Sequence, residues 1–242
     1  MIRKGFFFPV IIMLSFASVS VGEESATPRR QPGAEITLYA PEQHDLYDGH
    51  FVLTARGIHQ VGRLQDKPGW DHMGNDASNV HPVEGKVDIE VNEVENSGTF
   101  LARLRVPEGE LILEFNRFHA FNPCQDGGVA AYLFEHGDSG CGDTNWPKTF
   151  IFLAGWGYGK ATLNGKPLYR DYQMHFMITQ GIRNRKNLKV TYPILGKKSP
   201  AGEVNPATQQ LDFYIRSPEG DDRNNPPRKV FDHFFGMEVT WK

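Results

Sequence analysis

The residues of this chain best suited to chemistry near neutral pH are its nine histidines: His44, His50, His59, His72, His81, His119, His136, His175 and His233. Neutral imidazole ligates zinc, copper or iron and exchanges protons close to pH 7. No two of them form a His-x-His pair or the His-Glu-x-x-His pattern of a helical zinc site. Three of them, His119, His136 and His175, fall in or at the end of segments that read as strands. Ligands on separate strands of one sheet can meet in space without being close in sequence. Strand parity sets His175 opposite the apolar Tyr172, Met174, Phe176 and Ile178, with Met177 on its own face. His119, His136 and His175 are therefore the candidate ligands of a zinc or copper ion. The alternative is three unrelated histidines, each hydrogen-bonded or exposed.

Acidic side chains give a second candidate. Asp126, Glu135, Asp138 and Asp143 cluster with glycines around the cysteines. Calcium prefers six to eight oxygen ligands, which such loops can supply, although the spacing is not that of an EF-hand. Two acids on adjacent strands would also suit chemistry at a sugar, and the sequence does not select the pair. Aromatic residues give a third. In Gly155-Trp156-Gly157-Tyr158-Gly159, with Trp146 nearby, the glycines leave room for something to approach the backbone. Trp156 and Tyr158 are the candidate platform for a sugar, against the plainer alternative of aromatic packing at a bulged strand end.

Gly137-Asp138-Ser139-Gly140 resembles the stretch around the nucleophile of trypsin-like serine proteases. The resemblance covers four residues. That family continues with Gly-Pro where Cys141-Gly142 stands here, and no histidine lies in anything like its Ala-Ala-His-Cys segment. A serine without a base beside it is a weak nucleophile, and the four residues also make a good turn.

The chain that must position these groups has 242 residues and a formal charge of −3. Residues 1–22 run from Arg3 and Lys4 through an apolar stretch to Ala17-Ser18-Val19-Ser20-Val21-Gly22, the order of a cleaved secretory signal. Its apolar run is shorter than the roughly 20 residues of a membrane span. The mature chain is thus expected to be secreted or periplasmic, without a membrane span, and more acidic than the full sequence. A net negative charge does not suit nucleic acid, and the basic residues of 183–198 are interleaved with Asn, Gly and Ser as in a solvated loop. Small molecules, metal ions and glycans remain as partners. Cys124 and Cys141 are the only cysteines. After export they are expected to form a disulfide, worth about 3 kcal/mol for a loop of that length.

Residues 23–33 are polar and contain Pro28 and Pro32, the composition of a flexible leader. From 34 onward the pattern is that of one β domain. Apolar and polar residues alternate over 87–92, 100–106 and 111–115, with Asn96-Ser97-Gly98 between the first two, which predicts a meander. Further strands are predicted at 129–134, 149–153, 172–179, 211–215 and 235–241, and a hairpin around Asn164-Gly165. Segments 65–83, 196–209 and 218–227, rich in Pro, Gly, Asn or Asp, read as loops. Ten or so short strands predict an antiparallel β-sandwich or jelly roll, with a closed barrel as the runner-up. The function expected is that of an exported binding protein with a histidine-ligated metal. A carbohydrate-binding or carbohydrate-active domain and a structural or adhesive module are the alternatives. No motif identifies an enzyme.

Overall fold

A computed structural model describes residues 49–66, 74, 77–119, 128–140, 148–190, 205–216 and 231–242. Both cysteines, Trp146, Asp126, Asp143, the expected signal and the leader lie outside them. The described residues form ten strands: β1 (His50–Val61), β2 (Val80–Pro82), β3 (Glu84–Asn92), β4 (Ser97–Val106), β5 (Gly109–Phe118), β6 (Val129–Glu135), β7 (Thr149–Leu163), β8 (Lys166–Gly181), β9 (Asn205–Arg216) and β10 (Phe231–Trp241). Every pairing is antiparallel.

The all-β antiparallel class is as expected, and of the two architectures the chain adopts the barrel. The order β1-β3-β4-β5-β7-β8-β9-β10 returns to its start because β10 pairs with β1, from Leu53↔Trp241 to Val61↔His233. A single sheet thus closes on itself where two packed sheets were expected. Alternation along a strand is the same in both arrangements; what differs is whether the first and last strands pair, which no local pattern encodes. The two short strands extend the staves of this up-and-down barrel. β2 continues β3 along β1, and β6 continues β5 along β7.

The long β7 was expected as separate pieces and is one strand of 15 residues. It ends in the expected hairpin: Asn164 and Gly165 both have positive φ, 51° and 73°, as a type I′ turn requires. β1 was not foreseen, since Gly57, at φ 60°, breaks the alternation begun by Phe51, Leu53 and Ala55. β2 falls in a segment expected to be loop.

The barrel is filled. Phe100 lies 5.4 Å from Phe176 and 5.2 Å from Phe213, ring to ring, and Phe213 stacks 5.1 Å from Phe234. An eight-stranded barrel is just wide enough for such packing. On β3, β4 and β5 the opposite face carries Lys86, Asp88, Glu90, Arg103, Arg105 and Glu114, with Leu101 and Ile112 between them. Among the described residues no helix is long and apolar enough to cross a membrane. Gln60 of β1, the ladder partner of Phe234, is buried with neither amide atom hydrogen-bonded among the described residues. The buried titratable groups that gather with aromatic rings lie on the outside, over β6 to β10.

Candidate functional site

On β8 the alternation expected from sequence holds. Met174, Phe176 and Ile178 enter the core, while His175 and Met177 face outward. The neighbouring outward positions carry rings across four strands. Trp156 of β7 stacks on His175 at 4.9 Å and 12°. His175 lies 5.5 Å from Tyr214 of β9, and Tyr214 lies 5.1 Å from His233 of β10. His59 of β1, stacked at 5.0 Å on Phe235, extends the row. The register explains it, because Trp156, His175, Tyr214 and His233 are successive ladder partners.

This outer face is sheltered: Trp156, Asp212, His233 and Phe235 are buried. Asp212 accepts hydrogen bonds from Gln210 at 2.7 Å and from His233 Nε2 at 3.3 Å. Tyr214 keeps its phenolic proton at neutral pH, because burial, with Asp212 and Glu135 adding to it, raises its pKa.

The most unusual group is Glu135. Its carboxyl is buried and makes no hydrogen bond among the described residues; Oε2 lies 4.0 Å from His175 Nε2 and 3.8 Å from His136 Nε2. Burial raises its pKa to about 7. His175 moves the other way, to about 3, because it is buried, although a hydrogen bond to the Gly155 carbonyl partly offsets this. That carbonyl can only accept, so Nδ1 carries the hydrogen, at 3.0 Å, and Nε2 presents a lone pair. At 4.0 Å the contact is thus no ion pair: between about pH 3 and pH 7 both groups are neutral.

Two irregularities interrupt the regular backbone at the end of β6 and in β7. Successive strand residues point to opposite faces, but His136 has a φ of 65° and begins the turn that Ser139 N–H closes onto its carbonyl. The left-handed residue breaks the alternation and lets Glu135 and His136 converge. β7 carries a register shift between Ile151 and Leu153, and bulges bend strands. Glu135 is not a ladder neighbour of His175: its partner on β7 is Thr149, and that of His175 is Trp156.

Of the three expected ligands, His136 and His175 approach one carboxylate, and His119 does not join them. It stacks at 6.2 Å on Tyr158, which also carries Arg117 over its ring. Among the described residues no three His, Cys, Asp or Glu side chains stand as a metal site. Comparisons with protein-family models, curated proteins and solved structures each gave no match.

The sugar platform also differs from its expected form. Trp156 and Tyr158 do share the outer face, but Trp156 is buried with one face covered by His175. The room left by the glycines is taken by the protein itself. A Cβ on Gly155 would meet the Phe176 ring at 2.3 Å, one on Gly157 the Arg117 carbonyl oxygen at 1.9 Å, and one on Gly159 the Met174 sulfur at 2.0 Å. Ser139 lies in the turn after β6. Asp138 beside it is exposed and pairs with Lys148 at 3.5 Å, away from the buried Glu135. Asp212, His233 and Tyr214 were not singled out from sequence; the only signal was their outward parity on strands whose other face is core.

Proposed function

We propose that this chain is an exported binding protein for a small hydroxyl-bearing molecule, a sugar or polyol, seated between Glu135 and His175. The observation that carries the reading is the 4.0 Å gap between two sheltered polar groups, with no hydrogen bond closing it. An oxygen making hydrogen bonds of about 2.8 Å to both would subtend an angle of about 90°, close to what a hydroxyl tolerates. It would accept from protonated Glu135 and donate to His175 Nε2. His175 keeps 18% of its side chain exposed and so gives access to the seat. Export is supported by the charged, apolar and small-residue order of residues 1–22.

A metal ion fits the same gap less well. Two ligands of one tetrahedral zinc stand about 3.3 Å apart. At 4.0 Å the ion would lie nearly on the line between them. The zinc or copper reading keeps one supporting feature, the Gly155 carbonyl that fixes the tautomer of His175, as second-shell groups do for metal-bound histidines.

Titration calorimetry of the mature protein with glycerol, glucose and myo-inositol tests the proposal, with elemental analysis of the same sample. Saturable heat with at least one polyol, reduced at least tenfold in affinity by His175→Ala, is expected. No heat with any polyol would overturn the reading, and one equivalent of zinc or copper lost in His175→Ala would replace it with the metal site.

A further inference from the structure

We infer that the seat between Glu135 and His175 is also catalytic: it holds a water that hydrolyses an uncharged carboxylic ester, with Glu135 as general base and then general acid. The inference rests on the proposed seat and goes beyond it by assigning a reaction.

The geometry favours water as the nucleophile. A water at about 2.8 Å from both groups donates one hydrogen to ionised Glu135 and the other to the bare Nε2 of His175. Both of its lone pairs then point away from its two partners. His175 acts here as a positioning acceptor, its tautomer set by Gly155. In the step itself, the water oxygen bonds to the acyl carbon while one O–H bond breaks and that proton passes to Glu135. The carbonyl π electrons move onto oxygen and return as the C–O bond to the leaving alkoxide breaks. Glu135 then gives its proton to the leaving oxygen, so an ester and water become an acid and an alcohol. No oxidant, metal or co-reactant enters. Tyr214, whose ring lies 5.5 Å from that of His175, brings a phenolic proton for the oxyanion.

The ester class follows from burial and charge. A phosphodiester would bring a negative charge into a sheltered site beside two carboxyls, Glu135 and Asp212. An amide needs stronger protonation of its leaving group than one carboxyl near neutrality supplies. Beside Glu135 stand His136 in its own turn and His175 on β8, and Glu135 also acts on Tyr214 of β9, which feels Asp212, Arg216 and Arg183 as well. The cations are Arg216, which hydrogen-bonds Gln173 at 2.7 Å, and Arg183, which donates to the Gly74 carbonyl and lies over the Phe235 ring. A general base is most effective when its pKa lies near the working pH.

The test is hydrolysis of p-nitrophenyl acetate and p-nitrophenyl butyrate by the mature chain, its Glu135→Gln and His175→Gln variants and its Tyr214→Phe variant. Circular dichroism checks that each variant is folded. The expected result is turnover at least a hundredfold above buffer that rises with pH to a plateau above about 7. It falls at least a hundredfold in E135Q and about tenfold in H175Q, mainly in kcat. A polyol that binds calorimetrically inhibits competitively, since it displaces the water. Turnover unchanged in a folded E135Q, or none above buffer, overturns the catalytic role. In the second case polyol heat that persists leaves the binding reading standing, and its absence removes both. If E135Q does not fold, Glu135→Asp with an unchanged rate and pH profile overturns the role equally.

Discussion

At the residue scale, Glu135 and His175 are displaced from their ordinary pKa values in opposite directions by the same cause, burial that disfavours charge. The consequences for stability have opposite signs. Glu135 binds its proton more tightly when folded, so its contribution is full below about pH 4.5 and is lost as pH rises through about 7. His175 binds its proton less tightly when folded. Its neutral state costs nothing above the ordinary 6.5, and stability falls as pH drops from there toward about 3. Between about pH 4.5 and 6.5 the two slopes largely cancel, which hides both from a single pH scan of the native chain. Glu135→Gln separates them. Relative to the native chain, E135Q should gain stability by about 3 kcal/mol between pH 5 and pH 8.5, from the linkage of about 1.4 kcal/mol per pKa unit. Urea unfolding at both pH values measures the difference, and equal gaps would mean that Glu135 is not held protonated.

At the element scale, β7 decides how much can be placed around the site. Its outward Trp156 and Tyr158 alternate with inward Gly155, Gly157 and Gly159, and the missing side chains let Phe176, the Arg117 carbonyl and Met174 close in. Gly157→Ala would put a methyl 1.9 Å from a backbone oxygen, which flexible side chains cannot relieve. Overpacking of a core costs about 1–3 kcal/mol, and a backbone clash belongs at the upper end. Gly165→Ala, where a Cβ meets nothing within 4 Å, tests a different cost, that of a φ of 73° alone. In thermal unfolding G157A should lose more than G165A; the reverse order would mean that β7 can shift away from β5. The glycines also show what sequence could convey. Their alternation with aromatics was visible, but whether a ligand or the core used the space was not, because the occupants Phe176, Arg117 and Met174 come from other strands. The same holds for the site. His136 stood out by type and by its place at a strand end, His175 by type and strand parity. Glu135 was noticed only among acids suited to calcium, because its ladder partner is Thr149 and that of His175 is Trp156, so no strand pattern places the two side chains together.

At the scale of the whole molecule, closure by β10 is the feature the sequence expressed least and the fold uses most. Segment 235–241 was foreseen as a strand with Phe235, Met237, Val239 and Trp241 on one apolar face; in place Val239 and Trp241 pack against the core, whereas Phe235 lies in the outer row and Phe234 takes the core position. Nothing in it announced β1 as a partner, since Gly57 obscures the alternation of β1 itself. Yet β10 pairs on both sides, with β9 from Phe231↔Arg216 and with β1 as far as Leu53↔Trp241. It also contributes Phe234 to the phenylalanine stack and His233 and Phe235 to the outer row. A chain ending at residue 230 would expose the backbone edges of β1 and β9 and one side of the aromatic core. Exposed edges pair with other chains, so this truncation should form oligomers or precipitate instead of giving a monomer with native near-ultraviolet dichroism. Supplying residues 231–242 as a peptide during refolding should restore the monomer, because antiparallel pairing on both edges and burial of Phe234 and Phe235 are regained together. Size-exclusion chromatography with light scattering reads the outcome. A monomeric, native-like truncation would show that β1 to β9 hold their sheet without closure. Trp156, His175 and Tyr214 of the outer row would then owe their placement to β7, β8 and β9 alone.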